Sequence, residues 1–318
     1  MKWAFFIAAA AILTTHMVFG QAARQPGAPR QNTTPQQPDD DTITIDAALV
    51  NTHVSVLDAS GHFVAGLTKD DFIVLDDGKE QPIIHFSQEA NQPLRMALVV
   101  DRSRSVEKVL GLAQTAVRDF FSSVLSPGRD RACLIVFDSG VYLAQDFTDD
   151  AATLASAVSS LTAAGGTSIF DAVYKTSRDK LSGSEQARRA ILLITDGDDT
   201  TSRASIEEAT AMALKNNINV YAIRLPDENS LNVRALRGKP VLDRLTAATG
   251  GRQFYFDGEH SRLQEFFSKL QGELRSTYSI GYQFESEPAA RRFHKISIKV
   301  KQSNLRAFTR SGYYSGAE

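Results

Sequence analysis

Apolar runs alternate with amphipathic segments across the middle of the chain. The segments LRMALVVD, RACLIVF and RRAILLITD are rich in apolar residues along most of their length. Between them lie segments with apolar residues at helical spacing, such as VEKVLGLAQTAVRDFFSSVL. Strands that are buried on both faces and alternate with helices are typical of a doubly wound sheet. We therefore predict an α/β, Rossmann-like domain over residues 94–275.

The two flanking segments have a different pattern. Residues 41–93 and 276–318 alternate polar and apolar positions, as in FIVLDDGKEQPIIHF and HKISIKVK, and Asp77-Gly78 marks a β-hairpin turn. We predict that the two β-rich segments pack together as one small β-sandwich, with residues 94–275 inserted between them. The alternative is two separate β units, which would each be only marginally stable.

The N-terminus carries the features of an export signal. Lys2 precedes the apolar stretch WAFFIAAAAIL, and small residues follow near Gly20. We predict a cleavable signal peptide over residues 1–20 and a secreted or periplasmic protein. The alternative is a retained anchor, in which case the protein would be attached to a membrane. Residues 21–40 are rich in Gln and Pro and lack apolar periodicity, which predicts a disordered linker.

Composition narrows the classes of function. The 318 residues carry a formal net charge of -2, which gives no electrostatic argument for a nucleic-acid partner. The single cysteine, Cys133, excludes an intrachain disulfide. The six histidines show no spacing typical of metal ligands, and we interpret them as surface or packing residues. Four tyrosines are expected on the surface of the sandwich: Tyr278, Tyr282, Tyr313 and Tyr314.

Polar oxygen donors follow the predicted strands where ligands bind in doubly wound folds. Asp101, Ser103 and Ser105 come at the end of one strand, and Asp196 follows another. Thr167 lies in a glycine-containing loop before a helix. Two carboxylates and three hydroxyls form an all-oxygen set that suits a hard cation, Mg²⁺ or otherwise Mn²⁺ or Ca²⁺. The alternative is that Asp101 and Ser103 only cap the next helix.

These residues resemble the metal-ion-dependent adhesion site of von Willebrand factor type A domains. The shared pattern is Asp-x-Ser-x-Ser, then a Gly-Gly-Thr loop, then Thr-Asp-Gly after a strand. The blocks GRDRACLIVFDSGVYLAQDFT and GLTKDDFIVLDDGKEQPIIHF also resemble that family, most of all its secreted bacterial members. The resemblance covers about residues 45–315.

The resemblance implies a role for each residue of the site. Ser103, Ser105 and Thr167 would coordinate the metal through their hydroxyls, and Asp101 and Asp196 would act largely through bound water. A remaining position would accept water or a carboxylate of an Asp or Glu on a protein partner. Gly165 and Gly166 would allow the backbone turn that aims Thr167 at the ion.

One position departs from the family pattern. The family commonly has glycine where this chain has Arg104, whose charge would either weaken cation binding or assist an anionic partner; the alternative is that Arg102 and Arg104 point into solvent. The implied function is binding rather than catalysis. A Mg²⁺-dependent hydrolase or phosphoryl-transfer enzyme is one alternative, although Ser103 stands where haloacid-dehalogenase-type phosphatases have an acid. A scaffold with an empty metal site is another.

Overall fold

The architecture comes from a computed structural model that describes residues 47–90, 92–183, 187–226, 235–285 and 292–315. The predicted signal peptide, residues 1–20, and the predicted linker, residues 21–40, lie outside the described residues. The described part of the chain contains fourteen strands and six α-helices.

The strands are β1 (Ala47–Leu57), β2 (Phe72–Asp76), β3 (Lys79–Gln81), β4 (Ile83–Ala90), β5 (Leu94–Asp101), β6 (Arg131–Phe137), β7 (Val141–Thr148), β8 (Arg188–Thr195), β9 (Ile218–Arg224), β10 (Gln253–Tyr255), β11 (Ser276–Glu285), β12 (Phe293–Val300), β13 (Arg306–Phe308) and β14 (Gly312–Tyr314). The α-helices are α1 (Leu110–Val124), α2 (Ala151–Ser159), α3 (Ile169–Asp179), α4 (Ile206–Lys215), α5 (Ala235–Thr249) and α6 (His260–Arg275). Short 3₁₀ helices cover Lys69–Asp71 and Arg104–Val109.

A six-stranded sheet forms the centre of the α/β part, in the order β10-β9-β8-β5-β6-β7. All neighbouring strands are parallel except β7, which is antiparallel to β6. Alternate residues of β5 pack on opposite faces: Met96 and Leu98 contact the core beneath α1, α2 and α6, and Ala97 and Val99 contact the core beneath α3, α4 and α5. This covering of both faces explains the continuous apolar strands and confirms the predicted doubly wound fold.

The flanking segments form two antiparallel four-stranded sheets. Their orders are β13-β1-β11-β4 and β14-β12-β2-β3, so each sheet takes strands from both ends of the chain. One core lies between them and includes Val54 and Val74 from the N-terminal segment and Tyr278 and Ile296 from the C-terminal segment. The β-rich flanks are therefore antiparallel sheets, as the alternating pattern predicted. The domain boundaries, and the independent folding of residues 94–275, stay predictions.

Local sequence signals act as expected in both parts. Asp77 and Gly78 connect β2 to β3 with φ values of 47° and 83°, and two positive φ values in succession are the requirement of a type I′ hairpin turn. Ser205 and Glu208 form a capping box at the start of α4. Asp77 therefore lies at a fixed turn beside the last residue of β2.

The expectation that four tyrosines lie on the sandwich surface is wrong for two of them. Tyr278 and Tyr282 are fully buried, whereas Tyr314 is exposed. Burial of a phenol requires a hydrogen-bond partner for its hydroxyl. The Tyr278 hydroxyl donates to the Val64 carbonyl at 2.8 Å, and the Tyr282 hydroxyl donates to Asp76 Oδ2 at 2.8 Å.

Among the described residues, no helix has the length and apolar character needed to cross a membrane.

Candidate metal centre

The first wall of the site is the end of β5, the strand at the middle of the central sheet. Asp101 is its last residue, and its side chain is fully buried. Asp101 Oδ1 accepts a 2.8 Å hydrogen bond from the Ser103 backbone N–H, and Oδ2 accepts a 2.6 Å bond from the Thr195 hydroxyl. The carboxylate therefore fixes its own loop and joins it to the end of β8.

Two hydroxyls follow Asp101 in the same loop. Ser103 Oγ and Ser105 Oγ lie 2.9 Å apart; the Ser103 side chain is buried and Ser105 is exposed. Ser103 precedes the 3₁₀ helix Arg104–Val109, yet its side chain makes no capping hydrogen bond. Helix capping therefore does not explain the Ser103 hydroxyl, which points toward Ser105 instead.

Thr167 comes from a second loop, between α2 and α3. Its residue is buried, and its carbonyl accepts hydrogen bonds from the backbone N–H groups of Thr200 at 2.8 Å and Thr201 at 2.9 Å. Gly165 has a φ of +66°, a conformation that glycine adopts without strain. Within the described residues, the Thr167 hydroxyl makes no hydrogen bond, so it is available to a ligand.

Asp196 comes from the third loop, directly after β8. It is 6% exposed, and its Oδ1 accepts a 3.1 Å hydrogen bond from the Asp198 backbone N–H. The preceding residue, Thr195, accepts a 3.1 Å bond from the Gly197 N–H through the same hydroxyl that donates to Asp101. The loop after β8 thereby holds Asp196 close enough for its charge to act on Asp101, at the end of the neighbouring strand β5.

Hydrogen bonds join the three loops in pairs. The Ala164 N–H donates to the Arg102 carbonyl at 2.7 Å, which connects the first loop to the second. The Thr200 N–H donates to the Thr167 carbonyl, which connects the third loop to the second. The bond from Thr195 to Asp101 closes the ring. The structure thus gathers the loops that carry all five predicted residues at one edge of the sheet.

The electrostatics of the site favour a bound cation. Burial, followed by the negative charge of Asp196, raises the pKa of Asp101 to about 7. Asp101 takes part in no ion pair with any described residue. Two buried carboxylates that repel each other, with three hydroxyls in the same loops, are an arrangement that a divalent cation would stabilise. The donor set therefore fits a hard metal ion bound by Asp101, Ser103, Ser105, Thr167 and Asp196.

The two arginines of the first loop behave differently. Arg102 forms an ion pair with Asp138, with 2.7 Å between Nη2 and Oδ2, and its guanidinium lies 5.2 Å from the centre of the Tyr142 ring. Arg104 is exposed, and its backbone N–H donates to the Gly165 carbonyl at 3.4 Å. Of these two arginines, therefore, only Arg104 has a solvent-exposed side chain beside the candidate site.

Several supporting residues escaped the sequence analysis. Thr195 holds Asp101, Ser139 Oγ accepts a 2.7 Å bond from the Gly166 N–H, and Thr200 Oγ1 accepts a 3.0 Å bond from the Thr167 N–H. Asp138 engages Arg102. A polar residue at the last position of an apolar strand was the available signal for Thr195, whereas the others are paired only by the fold.

A doubly wound domain with this arrangement of strand-end oxygen donors belongs to a class that binds ligands at the carboxyl edge of its sheet. Residues 96–198 match the family model of the von Willebrand factor type A domain. Residues 96–198 are therefore assigned to a von Willebrand factor type A domain.

Solved structures with similar folds include three proteins of low sequence identity. BatB, a conserved hypothetical protein from Bacteroides thetaiotaomicron, is 17% identical over 56% of this chain and 97% of that chain, with a TM-score of 0.47. A von Willebrand factor type A protein from Catenulispora acidiphila is 12% identical over 85% of this chain and 74% of that chain, with a TM-score of 0.48. Proximal thread matrix protein 1 from the mussel byssus, solved with a zinc-occupied MIDAS motif, is 16% identical over 63% of this chain and 50% of that chain, with a TM-score of 0.49. No curated protein matches the chain significantly.

Proposed function

We propose that this chain is an exported binding protein that uses a divalent cation in its von Willebrand factor type A domain to bind a protein partner. The cation is Mg²⁺ or a similar hard ion, held by Asp101, Ser103, Ser105, Thr167 and Asp196. An Asp or Glu carboxylate of the partner completes its coordination. Export rests on the sequence of residues 1–20 alone.

The observation that carries the proposal is the pairing of two buried carboxylates with three hydroxyls in loops that are hydrogen-bonded to one another. Asp101 and Asp196 together balance the charge of a divalent ion, and the hydroxyls add no charge. The ion therefore keeps enough positive character to attract a further carboxylate. Ser105 is exposed, which gives a partner access to this edge of the site.

The same geometry favours binding over catalysis. Hydrolysis or phosphoryl transfer requires a nucleophile and an acid or base within hydrogen-bond reach of the reacting group. The residue two positions after Asp101 is Ser103, whose hydroxyl lies 2.9 Å from that of Ser105. A panel of phosphatase and esterase substrates with Mg²⁺ tests this part of the proposal, and turnover that is lost in Asp101→Ala would contradict it.

A pull-down with the mature protein tests the binding function. We expect a partner that is retained with Mg²⁺, released by EDTA and not retained by Thr167→Ala. Replacing the contacting Asp or Glu of that partner with Asn or Gln should abolish retention, because an amide cannot replace a carboxylate on the ion. Thr167→Ser is the matched control, since it restores the hydroxyl and should restore retention. A partner that binds equally well in EDTA contradicts the proposal.

A further inference from the structure

A second group of metal-ligating side chains lies in the β-sandwich, within the part of the chain that the structure describes. Asp76, Asp77 and His294 each offer one ligand atom, and the three atoms lie within 4.8 Å of one another. His294 Nδ1 is 3.1 Å from Asp77 Oδ2 and 3.8 Å from Asp76 Oδ1. The donors come from the end of β2, the β2–β3 turn and β12, and they include an imidazole that the von Willebrand factor site lacks.

One atom of this group is a buried oxygen without a hydrogen bond. The Asp76 side chain is 1% exposed, and its Oδ1 has no hydrogen-bond partner. Its other oxygen, Oδ2, accepts hydrogen bonds from the hydroxyls of Tyr282 at 2.8 Å and Tyr313 at 2.9 Å. An unsatisfied buried carboxylate oxygen costs free energy unless a cation or a donor reaches it. These two hydrogen bonds to Oδ2 fix the Asp76 carboxylate, so that Oδ1 lies on the side of His294.

The other two ligands are fixed from behind in the same way. Asp77 Oδ1 accepts a 2.9 Å hydrogen bond from the Lys295 N–H, which leaves Oδ2 toward His294. His294 Nε2 lies 3.0 Å from Ser315 Oγ, and that hydroxyl donates to the Arg292 carbonyl at 3.4 Å. Ser315 Oγ therefore accepts from Nε2–H, so that Nδ1 is the atom free to bind a cation. Outer hydrogen bonds that orient each ligand are the usual support of a metal site.

We propose that Asp76 Oδ1, Asp77 Oδ2 and His294 Nδ1 form a second metal site, which binds a borderline divalent ion such as Zn²⁺. One nitrogen and two carboxylate oxygens suit zinc, whereas Mg²⁺ and Ca²⁺ prefer oxygen donors alone. Two carboxylates also balance the charge of the ion. A tetrahedral zinc site has ligand atoms roughly 3.3 Å apart, which the present separations reach with small side-chain movements.

The metal would displace one arginine from the site. Zn²⁺ would bind through the lone pair that Nδ1 carries in the neutral imidazole. Arg292 Nη2 lies 3.1 Å from Asp77 Oδ2, but its side chain is 67% exposed and can withdraw into water. Asp77 is 31% exposed and provides the open side through which the ion enters.

The site would connect the two ends of the sandwich. Asp76 and Asp77 belong to the N-terminal β-rich segment, and His294 belongs to the C-terminal one. Because a metal that binds only the folded state raises the free energy of unfolding, zinc should stabilise the sandwich in particular.

Titration of Zn²⁺ into full-length Thr167→Ala protein tests the proposal, because that variant removes a ligand of the other candidate site. We expect one zinc ion per chain and a higher Tm. Asp77→Asn in the same background should weaken binding at least about tenfold. Its fold should persist, since Asn-Gly is a favoured type I′ turn and Asn Oδ1 still accepts from Lys295. His294→Gln should act in the same way, and Asp77→Asn decides the test if His294→Gln does not fold.

Asp58→Asn is the matched control for zinc held at the surface. The Asp58 side chain is 40% exposed and has His62 Nδ1 3.9 Å from its Oδ1, so this pair resembles the proposed site in composition without being buried. Its substitution should leave zinc affinity unchanged. The proposal is overturned if Thr167→Ala protein binds no zinc at submillimolar concentration, if Asp77→Asn binds as tightly as its parent, or if Asp58→Asn weakens binding as much.

Discussion

The hydroxyl of Thr195 donates a 2.6 Å hydrogen bond to Asp101 Oδ2, and both side chains are fully buried. This bond connects the ends of two neighbouring parallel strands at the centre of the sheet. It also holds in place a carboxylate whose pKa lies at about 7 because of burial and the charge of Asp196. The ionised Asp101 carboxylate is therefore unfavourable in this buried site when no cation is bound.

The first prediction concerns the stability of the metal-free protein. Asp101 has a folded-state pKa of about 7 and a reference value of 3.8, so its folded form retains a proton that the unfolded chain loses. The resulting stability is present at acid pH and is lost as the pH rises from about 4 to about 7. Asp101→Asn removes this loss.

We expect Asp101→Asn to raise the free energy of unfolding by about 1–2 kcal/mol at pH 8 in EDTA. The gain is smaller than the whole pKa shift implies, because the new amide has one accepting oxygen and cannot accept both the Ser103 N–H bond and the Thr195 hydroxyl bond. Denaturant titrations at pH 5 and pH 8 measure the effect. An equal difference between the two proteins at both pH values would contradict the assigned ionisation.

Thr167 provides a test of metal coordination with little effect on folding. The Thr167 backbone groups join the second and third loops, whereas its hydroxyl makes no hydrogen bond with a described residue. Thr167→Ala should therefore abolish Mg²⁺ and Mn²⁺ binding in calorimetric titrations and leave the metal-free Tm nearly unchanged. Thr167→Ser should bind within about tenfold of wild type. Equal binding by wild type and Thr167→Ala would exclude a role for this hydroxyl.

The charge of Arg104 should oppose the bound cation. Arg104 is exposed, so its interaction with the ion is screened by solvent and salt. We expect Arg104→Gly to tighten Mg²⁺ binding by about two- to fivefold at low ionic strength and to have little effect at high ionic strength. Arg104→Lys keeps the charge and should bind like wild type. If Arg104→Lys and Arg104→Gly change Mg²⁺ binding by the same amount, the effect of Arg104 on the ion is not electrostatic.

His53 should make the junction between the sandwich and the α/β domain sensitive to acid. Burial, followed by the charges of Arg188 and Arg310, lowers the pKa of His53 to about 4. Glu89 Oε2, 3.5 Å from Nδ1, acts in the opposite direction and is outweighed. The unfolded chain therefore binds a proton below about pH 6.5 that the folded chain does not, and stability falls as the pH drops toward 4.

His53→Gln should reduce the loss in the free energy of unfolding between pH 7 and pH 4.5 by about 1 kcal/mol. The figure is well below the full pKa shift because about a third of the His53 side chain is exposed. Urea titrations at pH 7 and pH 4.5 measure the difference. A His53→Gln protein with the same loss as wild type would show that His53 does not titrate in this range.

The last prediction concerns domain autonomy. The two cores of the α/β part draw only on residues between 94 and 274, whereas the sandwich core draws on both flanks. We expect the isolated segment 94–275 to fold cooperatively and segment 41–93 to remain unfolded. Circular dichroism with thermal melts measures both. Cooperative unfolding of isolated 41–93 would contradict the shared sandwich.

Periodicity was enough to predict the doubly wound domain, because its buried strands and amphipathic helices are local patterns. The candidate site was also local in part: Asp101, Ser103 and Ser105 sit on one strand end, and Thr167 and Asp196 follow from the family pattern. The hydrogen-bond partners that only folding brings together could not be predicted. No local signal pairs Thr195 with Asp101.

In the β-sandwich, contacts between residues far apart in the sequence were also not predicted. Tyr278 and Tyr282 were expected at the surface, but both are buried. Their hydrogen-bond partners, Val64 and Asp76, lie more than two hundred residues away in the sequence. His294 has no ligand spacing within the sequence for the same reason. Its acidic neighbours belong to the opposite end of the chain.

The pairing of β1 with β11 has a mechanical consequence. Eight residue pairs join the strands, from Ala47 opposite Glu285 to Val54 opposite Tyr278, and β11 begins at Ser276, directly after α6. A pulling force applied at Ala47, with the α/β domain held by a bound partner, enters this ladder from opposite ends. The hydrogen bonds are then loaded in shear and share the tension together, instead of opening one after another like a zipper.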